Sequence, residues 1–256
     1  MLFDTHAHYD DNRFNEDRYD VINRVHESGV AYILNASSDM ASAVECISLT
    51  QEFDFVYAAV GIHPHNVTDI NENTLIAIAD FAKNPKVVAI GEIGLDYFYD
   101  NSPREVQRYW FSEQIELAKQ INLPIIVHNR DAHEDTMKII KAENAKTVGG
   151  ILHCYSGSIE MARELLENNF YISVGGPVTF KNAKKIIEVV KFVPDDRLLI
   201  ETDCPYLTPE PHRGKRNDSS YVKFVAERIA EIKGVTFEEI ADITMRNAKA
   251  LFKIQE

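Results

Sequence analysis

Cysteine is scarce in this chain. Cys46, Cys154 and Cys204 are the only three in 256 residues. An odd, widely spaced set excludes a disulfide framework, and without a C-x-x-C pair there is no cysteine zinc site. Positive charge is also in short supply, with 27 Lys and Arg against 40 Asp and Glu and a net charge of −13. That excludes a protein that coats nucleic acid through a broad basic surface. It leaves open an enzyme that grips a few phosphates beside a bound cation, whose charge dominates its surroundings. No apolar run approaches the roughly 18 residues of a membrane span. The opening stretch MLFDTHAHYDD lacks a basic segment followed by an apolar run, so no signal peptide and no membrane association are expected. A reducing cytoplasm is the expected location. Glycine and proline, 11 and 9 residues, are scattered rather than clustered, so neither a linker nor a low-complexity tract is expected. The G-x-G-x-x-G and G-x-x-x-x-G-K-[ST] fingerprints of nucleotide-binding open sheets are missing.

What is present is alternation. Short apolar runs predict strands at Leu2–Asp4, Ala31–Asn35, Phe55–Val60, Val87–Gly91, Pro124–Val127, Gly149–Leu152, Tyr171–Val174 and Leu198–Glu201. Amphipathic stretches predict helices at Glu16–Glu27, Met40–Gln51, Glu72–Ala82, Pro103–Gln120, Asp135–Ala142, Ile159–Glu167 and Asn182–Lys191, then Ser220–Lys233 and Phe237–Phe252. Asn71, Ser102-Pro103 and Thr236 with Glu239 are start signals for three of them. The strands are continuously apolar, as parallel strands covered on both faces should be. Eight β-then-α units in a chain near the usual barrel length of about 250 residues predict one domain, residues 1–256, folded as a (β/α)8 TIM barrel. A doubly wound open sheet has the same alternation, and periodicity alone does not separate the two.

The histidines favour the barrel. Of nine, six fall at the C-terminal end of an expected strand: His6, His8, His63, His65, His128 and His153. Barrel active sites are built at those ends, and imidazoles are poor core filler unless paired. His6 and His8, at i and i+2 on a strand, face one side and can share a cation. Glu92 follows the run VVAI and can bridge two cations through its two oxygens. His128 and His153 end successive strands and fit a second metal. Asp203 ends LLIETD; it can bind the first metal and accept a proton from water. Glu201, two positions earlier, is read as the partner of a ligand histidine, and Asp96 as a candidate that only shapes its loop.

Other positions carry two readings each. His63 can touch a phosphate or carry a proton, or can merely support a ligand, while His65 reads as loop surface. Arg130 is a phosphate clamp or a surface ion pair with Asp131 or Glu134. The segment Pro211–Asn217, with Arg213, Lys215 and Arg216, is a basic loop meeting an anionic substrate or a solvated loop. Tyr97, Phe98, Tyr99 and Tyr155 could stack single-stranded bases. His133-Glu134 lacks a second histidine at helical spacing, and Ser156 is not in a G-x-S-x-G elbow.

Six ordered segments resemble the TatD family of metal-dependent deoxyribonucleases: Asp4-Thr5-His6-Ala7-His8, Gly61-Ile62-His63-Pro64-His65, Gly91 to Tyr97, Pro124 to Arg130, His153 to Gly157 and Glu201 to Leu207. Gly175 to Phe180 and Arg246-Asn247-Ala248 are similar too, so the resemblance covers essentially the whole chain. Cys204 departs from it, standing where the family more often has Ala or Ser. The resemblance implies an amidohydrolase-like barrel with two divalent cations. His6, His8 and Asp203 would hold one, His128 and His153 the other, with Glu92 between them. It implies hydrolysis of a DNA phosphodiester from a 3′ end or a single-stranded region, with Asp203 as base, Glu92 and His63 assisting, and Arg130, His63 and Arg213 on the substrate. The mixed donor set suits Zn²⁺, Mn²⁺, Ni²⁺ or Co²⁺ better than Mg²⁺, which substrate oxygens can nonetheless recruit. No obligate protein partner is expected. Two alternatives remain: hydrolysis of an amide, lactone or phosphotriester at the same centre, and a metal-binding module without catalysis.

Overall fold

The structure is a computed structural model that describes residues 1–255. Eight strands form one sheet in strict sequence order, the arrangement that repeated β-α-β crossovers of one hand produce. Its residues group into two compact units. The first comprises Met1–Asn35, His153–Ala162 and the C-terminal stretch from Ile172; the second comprises Ala36–Leu152 and Arg163–Tyr171.

The first unit opens with β1 (Leu2–Ala7), every residue of which is buried. After α1 (Arg18–Glu27) the chain enters β2 (Val30–Ala36), which pairs with β1 in parallel, Phe3 opposite Tyr32 and Asp4 opposite Ile33. Later come β7 (Phe170–Val174), α7 (Lys184–Phe192) and β8 (Leu198–Ile200), with β7 and β8 also parallel. A parallel bridge joins Ala7 to Cys204, and the His8 N–H donates to the Cys204 carbonyl at 2.8 Å. Strand β1 therefore has partners on both edges. Helices α8 (Val222–Lys233) and α9 (Phe237–Phe252) finish the unit, and α9 packs on β1 and β8.

The second unit runs through α2 (Met40–Glu52), β3 (Val56–Val60), α3 (Glu72–Phe81), β4 (Val87–Asp96), α4 (Arg104–Ile121), β5 (Ile125–Arg130), α5 (His133–Ala142) and β6 (Gly150–Leu152), and most of α6 (Ile159–Glu167) belongs to it. The pairs β3–β4, β4–β5 and β5–β6 are parallel. Helices start where capping groups satisfy the first free N–H groups. Asp39 with Ser42, Asn71 with Thr74 and Thr236 with Glu239 each form a reciprocal capping box. Pro103 caps α4 without any side-chain bond, so that helix begins one residue later than expected.

The C-terminal ends of five strands differ from the sequence expectation: β1 and β2 run on to Ala7 and Ala36, past the expected Asp4 and Asn35, and three further differences bear on the site. Strand β4 continues past Gly91 to Asp96, so Glu92 lies within a strand rather than after one. Its register against β5 shifts between Ile90 and Ile93, and the Glu92 N–H donates to the Ser37 carbonyl instead. Two glycines permit this kink. A Cβ on Gly91 would stand 2.7 Å from that of Ile126, and one on Gly94, whose φ is +143°, would stand 2.0 Å from the His128 carbonyl oxygen. Strand β5 likewise runs to Arg130, beyond the expected Val127. Strand β8 is shorter and stops at Ile200, so Glu201 to Asp203 are not strand.

Candidate metal centre

In the first unit, β1 brings His6 to the end of the sheet and the bridge at Cys204 brings the chain after β8 alongside. The Asp203 N–H donates to the His6 carbonyl at 2.9 Å. Asp203 then turns through a left-handed conformation, φ 58°, which aspartate tolerates better than most residues. Its carboxylate and two imidazoles converge. His6 Nε2 lies 3.0 Å from His8 Nε2, His8 Nε2 lies 3.4 Å from Asp203 Oδ1, and His6 Nε2 lies 3.9 Å from the same oxygen. Donor atoms about 2.1 Å from one cation stand about 3.0–3.4 Å apart in octahedral or tetrahedral arrangements. Two of the three separations meet that range and the third exceeds it slightly, so this donor set fits a divalent cation. Burial pushes the Asp203 carboxyl up, but the His8 hydrogen bond and the charges of His153, His8 and His6 outweigh it and hold the group below its usual value.

Behind these three lies a supporting layer. The His153 ring stacks on His6, with centroids 4.0 Å apart and planes 14° from parallel. Glu201 is fully buried; its Oε1 accepts the Cys154 N–H at 2.6 Å and lies 3.5 Å from His153 Nδ1. Asp4, also fully buried, accepts the Thr202 N–H at 2.8 Å and the Thr202 hydroxyl at 2.5 Å, fixing the residue before Asp203. Burial lifts the Asp4 carboxyl to about 7, against the hydrogen bonds from Ser219 and Thr202. Asn217 donates to the carbonyls of Thr202 at 3.0 Å and Tyr206 at 2.6 Å. Sequence reasoning missed Asp4, Thr202 and Asn217 as builders of the site. Asp4 had a signal, as an acid in a strand whose neighbours are apolar.

In the second unit, β3, β4 and β5 assemble His63, Glu92 and His128, whose donor atoms lie within 4.8 Å of one another. Glu92 Oε1 stands 2.6 Å from His128 Nδ1 and 3.7 Å from His63 Nε2. The other nitrogen of His128 lies 3.2 Å from Asp96 Oδ2. At 2.6 Å, Glu92 and His128 share a proton rather than flank a cation, so binding here requires that pair to open by a few tenths of an ångström. The His65 N–H donates to His63 Nδ1 at 3.2 Å. A neutral imidazole that accepts at Nδ1 carries its proton on Nε2. His63 therefore presents an N–H to the cluster and is better placed to donate than to ligate.

Asp96 and His65 depart from their expected parts. His65 is not loop surface; its Nε2 meets Asp96 Oδ2 at 2.9 Å. Asp96 does shape its loop, since Oδ1 accepts the N–H groups of Phe98 at 3.0 Å and Tyr99 at 2.9 Å. Its second oxygen also holds His65 and His128. Burial raises the Asp96 carboxyl, but His128, the Tyr99 N–H and His65 more than compensate and hold it well below the usual carboxylate range.

The expected cations on substrate divide. Arg130 makes no ion pair with Asp131 or Glu134; its guanidinium lies over Phe98 at 4.3 Å and Tyr99 at 4.8 Å. Arg213 lies over Phe180 at 4.2 Å. Arg216, in the same basic loop, is committed to Asp17 at 2.6 Å and to the Arg13 carbonyl.

An eight-stranded parallel sheet with imidazole and carboxylate clusters at its strand ends defines a barrel hydrolase of the metal-dependent class. Comparison with known proteins gives the particular family. The TatD related DNase family matches residues 3–253. The chain is 56% identical to the "Uncharacterized metal-dependent hydrolase YabD" of Bacillus subtilis, over 99% of this chain and all of that one. It is 30% identical to a protein of Erwinia tasmaniensis named "3'-5' ssDNA/RNA exonuclease TatD", again over 99% of this chain and all of the relative. The crystal structure of YJJV, a TatD homologue from Escherichia coli, superposes with a TM-score of 0.93 at 30% identity, covering 99% of this chain and 98% of that one. The chain belongs to the TatD family of metal-dependent hydrolases, and its fold is the (β/α)8 barrel.

Proposed function

We propose that this protein is a nuclease that hydrolyses phosphodiester bonds of single-stranded nucleic acid from a 3′ end, using two divalent cations. The observation that carries the reading is the convergence of His6, His8 and Asp203 at separations suited to one cation. A second cation would draw on donors of the other unit, with His128 and Glu92 the groups that would hold it. Two arginines, Arg130 and Arg213, stacked on aromatic rings and without a carboxylate partner among the described residues favour a phosphate-bearing substrate over a neutral ester or amide. The name of the Erwinia relative supports the choice of nucleic acid and of polarity. Bound cations supply Lewis-acid charge to the phosphate and lower the pKa of water.

The chain's own residues do the rest. Asp203, held ionised by its histidines, accepts the proton of the attacking water. The water oxygen forms a new bond to phosphorus while the P–O bond to the 3′ oxygen of the adjacent sugar breaks. His63, with its proton on Nε2, donates it to the departing 3′ oxygen, which leaves as a hydroxyl. Arg130 and Arg213 orient neighbouring phosphates. A labelled single strand, a blunt duplex, a lactone and a phosphotriester, each assayed with and without chelator, test the reading. Stepwise loss of 3′ nucleotides from the single strand, stopped by chelator and restored by Mn²⁺ or Zn²⁺, is expected. Turnover of the lactone or phosphotriester without any strand cleavage would transfer the assignment to another bond.

A further inference from the structure

Several arginines lie over aromatic rings here, and most also meet an acid. Arg13 lies over Tyr206 and pairs with Asp11; Arg104 lies over Tyr97 and pairs with Asp100; Arg216 lies over Phe14 and pairs with Asp17. Arg130 is different. It covers two rings, Phe98 and Tyr99, and has no ion pair among the described residues. Both rings are more than half exposed, 56% and 55%, and they meet edge to face with centroids 4.9 Å apart. In a protein with 40 acidic side chains, an unneutralised guanidinium on two adjacent solvent-facing rings calls for an anionic, planar ligand.

The platform is built into the candidate centre. Arg130 is the register partner of Asp96 at the end of the β4–β5 pair, and the Tyr97 N–H donates to the Arg130 carbonyl at 2.9 Å. One oxygen of Asp96 ties down the Phe98 and Tyr99 N–H groups while the other holds His65 and His128. The Tyr99 ring stands 5.4 Å from that of His65. A single carboxylate thus fixes the rings and the imidazoles in one frame. The geometry points to a subsite in which an unpaired nucleobase stacks on one of the two mutually perpendicular rings, Phe98 or Tyr99, with its edge against the other, while Arg130 takes its phosphate. This subsite rests on the nucleic-acid reading above and specifies how that substrate is held. Aromatic rings engage any base by its face, whereas a paired base within a duplex keeps its faces covered, so the subsite selects single strands.

The test uses the full chain freed of metal with chelator, so that binding is read without cleavage. Fluorescence anisotropy compares an oligothymidylate of about ten nucleotides, an abasic strand of equal length and charge, and a blunt duplex. The intact strand is expected to bind about tenfold or more tightly than the abasic strand, the loss expected when a base gives up its stacking partner. The double substitution Phe98→Ala with Tyr99→Ala should erase that preference while abasic binding stays the same. Phe98→Trp should keep the preference, with its fluorescence quenched by the intact strand and not by the abasic one. Because both rings are exposed, circular dichroism should be unchanged, and the tryptophan arm decides if the double variant fails to fold. Equal binding of intact and abasic strands by the unaltered protein overturns the subsite, as does a preference that survives in the double variant. Strand cleavage with Mn²⁺ is measured separately: base preference without cleavage removes the nuclease reading and leaves the subsite, and cleavage without base preference does the reverse.

Discussion

Asp203 concentrates the chemistry into one side chain. It is the acid of the His6–His8 cluster and the proposed proton acceptor, so Asp203→Asn should lower turnover by about 10²–10⁴-fold. The amide has nearly the same shape, and the backbone bond to His6 does not involve the side chain. Thermal unfolding of the variant should therefore match that of the parent, while substantial residual cleavage would remove Asp203 from its role. Glu201 acts one step back. Glu201→Gln weakens the acceptor beneath Cys154 and His153; competition against a chromophoric chelator should show metal affinity reduced about 10–100-fold. At this scale the sequence was informative about which residues belong to the clusters, because histidines and acids at the ends of apolar runs have few other uses. It was silent about hydrogen-bond direction. Nothing in Gly61 to His65 shows that the His65 N–H occupies His63 Nδ1, and nothing near Asp96 shows that its two oxygens serve a turn and a histidine pair at once. Those facts depend on loop geometry that local pattern does not encode.

Among elements, β4 is the one whose backbone shapes the centre. Its kink at Gly91–Gly94 sets the Glu92 N–H on Ser37 and leaves the carboxylate facing His128. Gly94→Ala places a Cβ against the His128 carbonyl in a conformation that side chains rarely adopt. Unfolding in denaturant should report a loss of about 3 kcal/mol or more, and a variant as stable as the parent would mean the strand pair can relax. Helix α9 offers a milder contrast: Thr236→Ala removes a capping box and should cost about 1 kcal/mol. Strand and helix order, and most helix starts, were readable from periodicity and capping residues. The ends of β1, β2, β4, β5 and β8 were not. Polar residues such as Glu92, Asp96 and His128 look like loop when read locally, yet they continue a strand when a neighbouring strand supplies the partners.

For the whole molecule, the acidic balance limits how substrate is held. With a charge of −13 and with Arg130 and Arg213 as stacked arginines that have no acid partner among the described residues, binding of single strands to the metal-free protein should depend weakly on salt. A double-logarithmic slope of about −1.4 corresponds to two phosphate contacts. A slope steeper than about −4 would mean that a broad basic surface does the binding. The bridge between Ala7 and Cys204 has a further consequence, for biosynthesis. Thr5 reaches the carbonyl of Ile200 across 195 positions, and His8 bonds the carbonyl of Cys204. The ribosome must therefore pass those positions before the opening strand, already paired with β2 on one edge, gains its partner on the other. Until then the growing polypeptide carries its first two imidazoles without their acid, so an interrupted translation product lacks the completed His6–His8–Asp203 cluster.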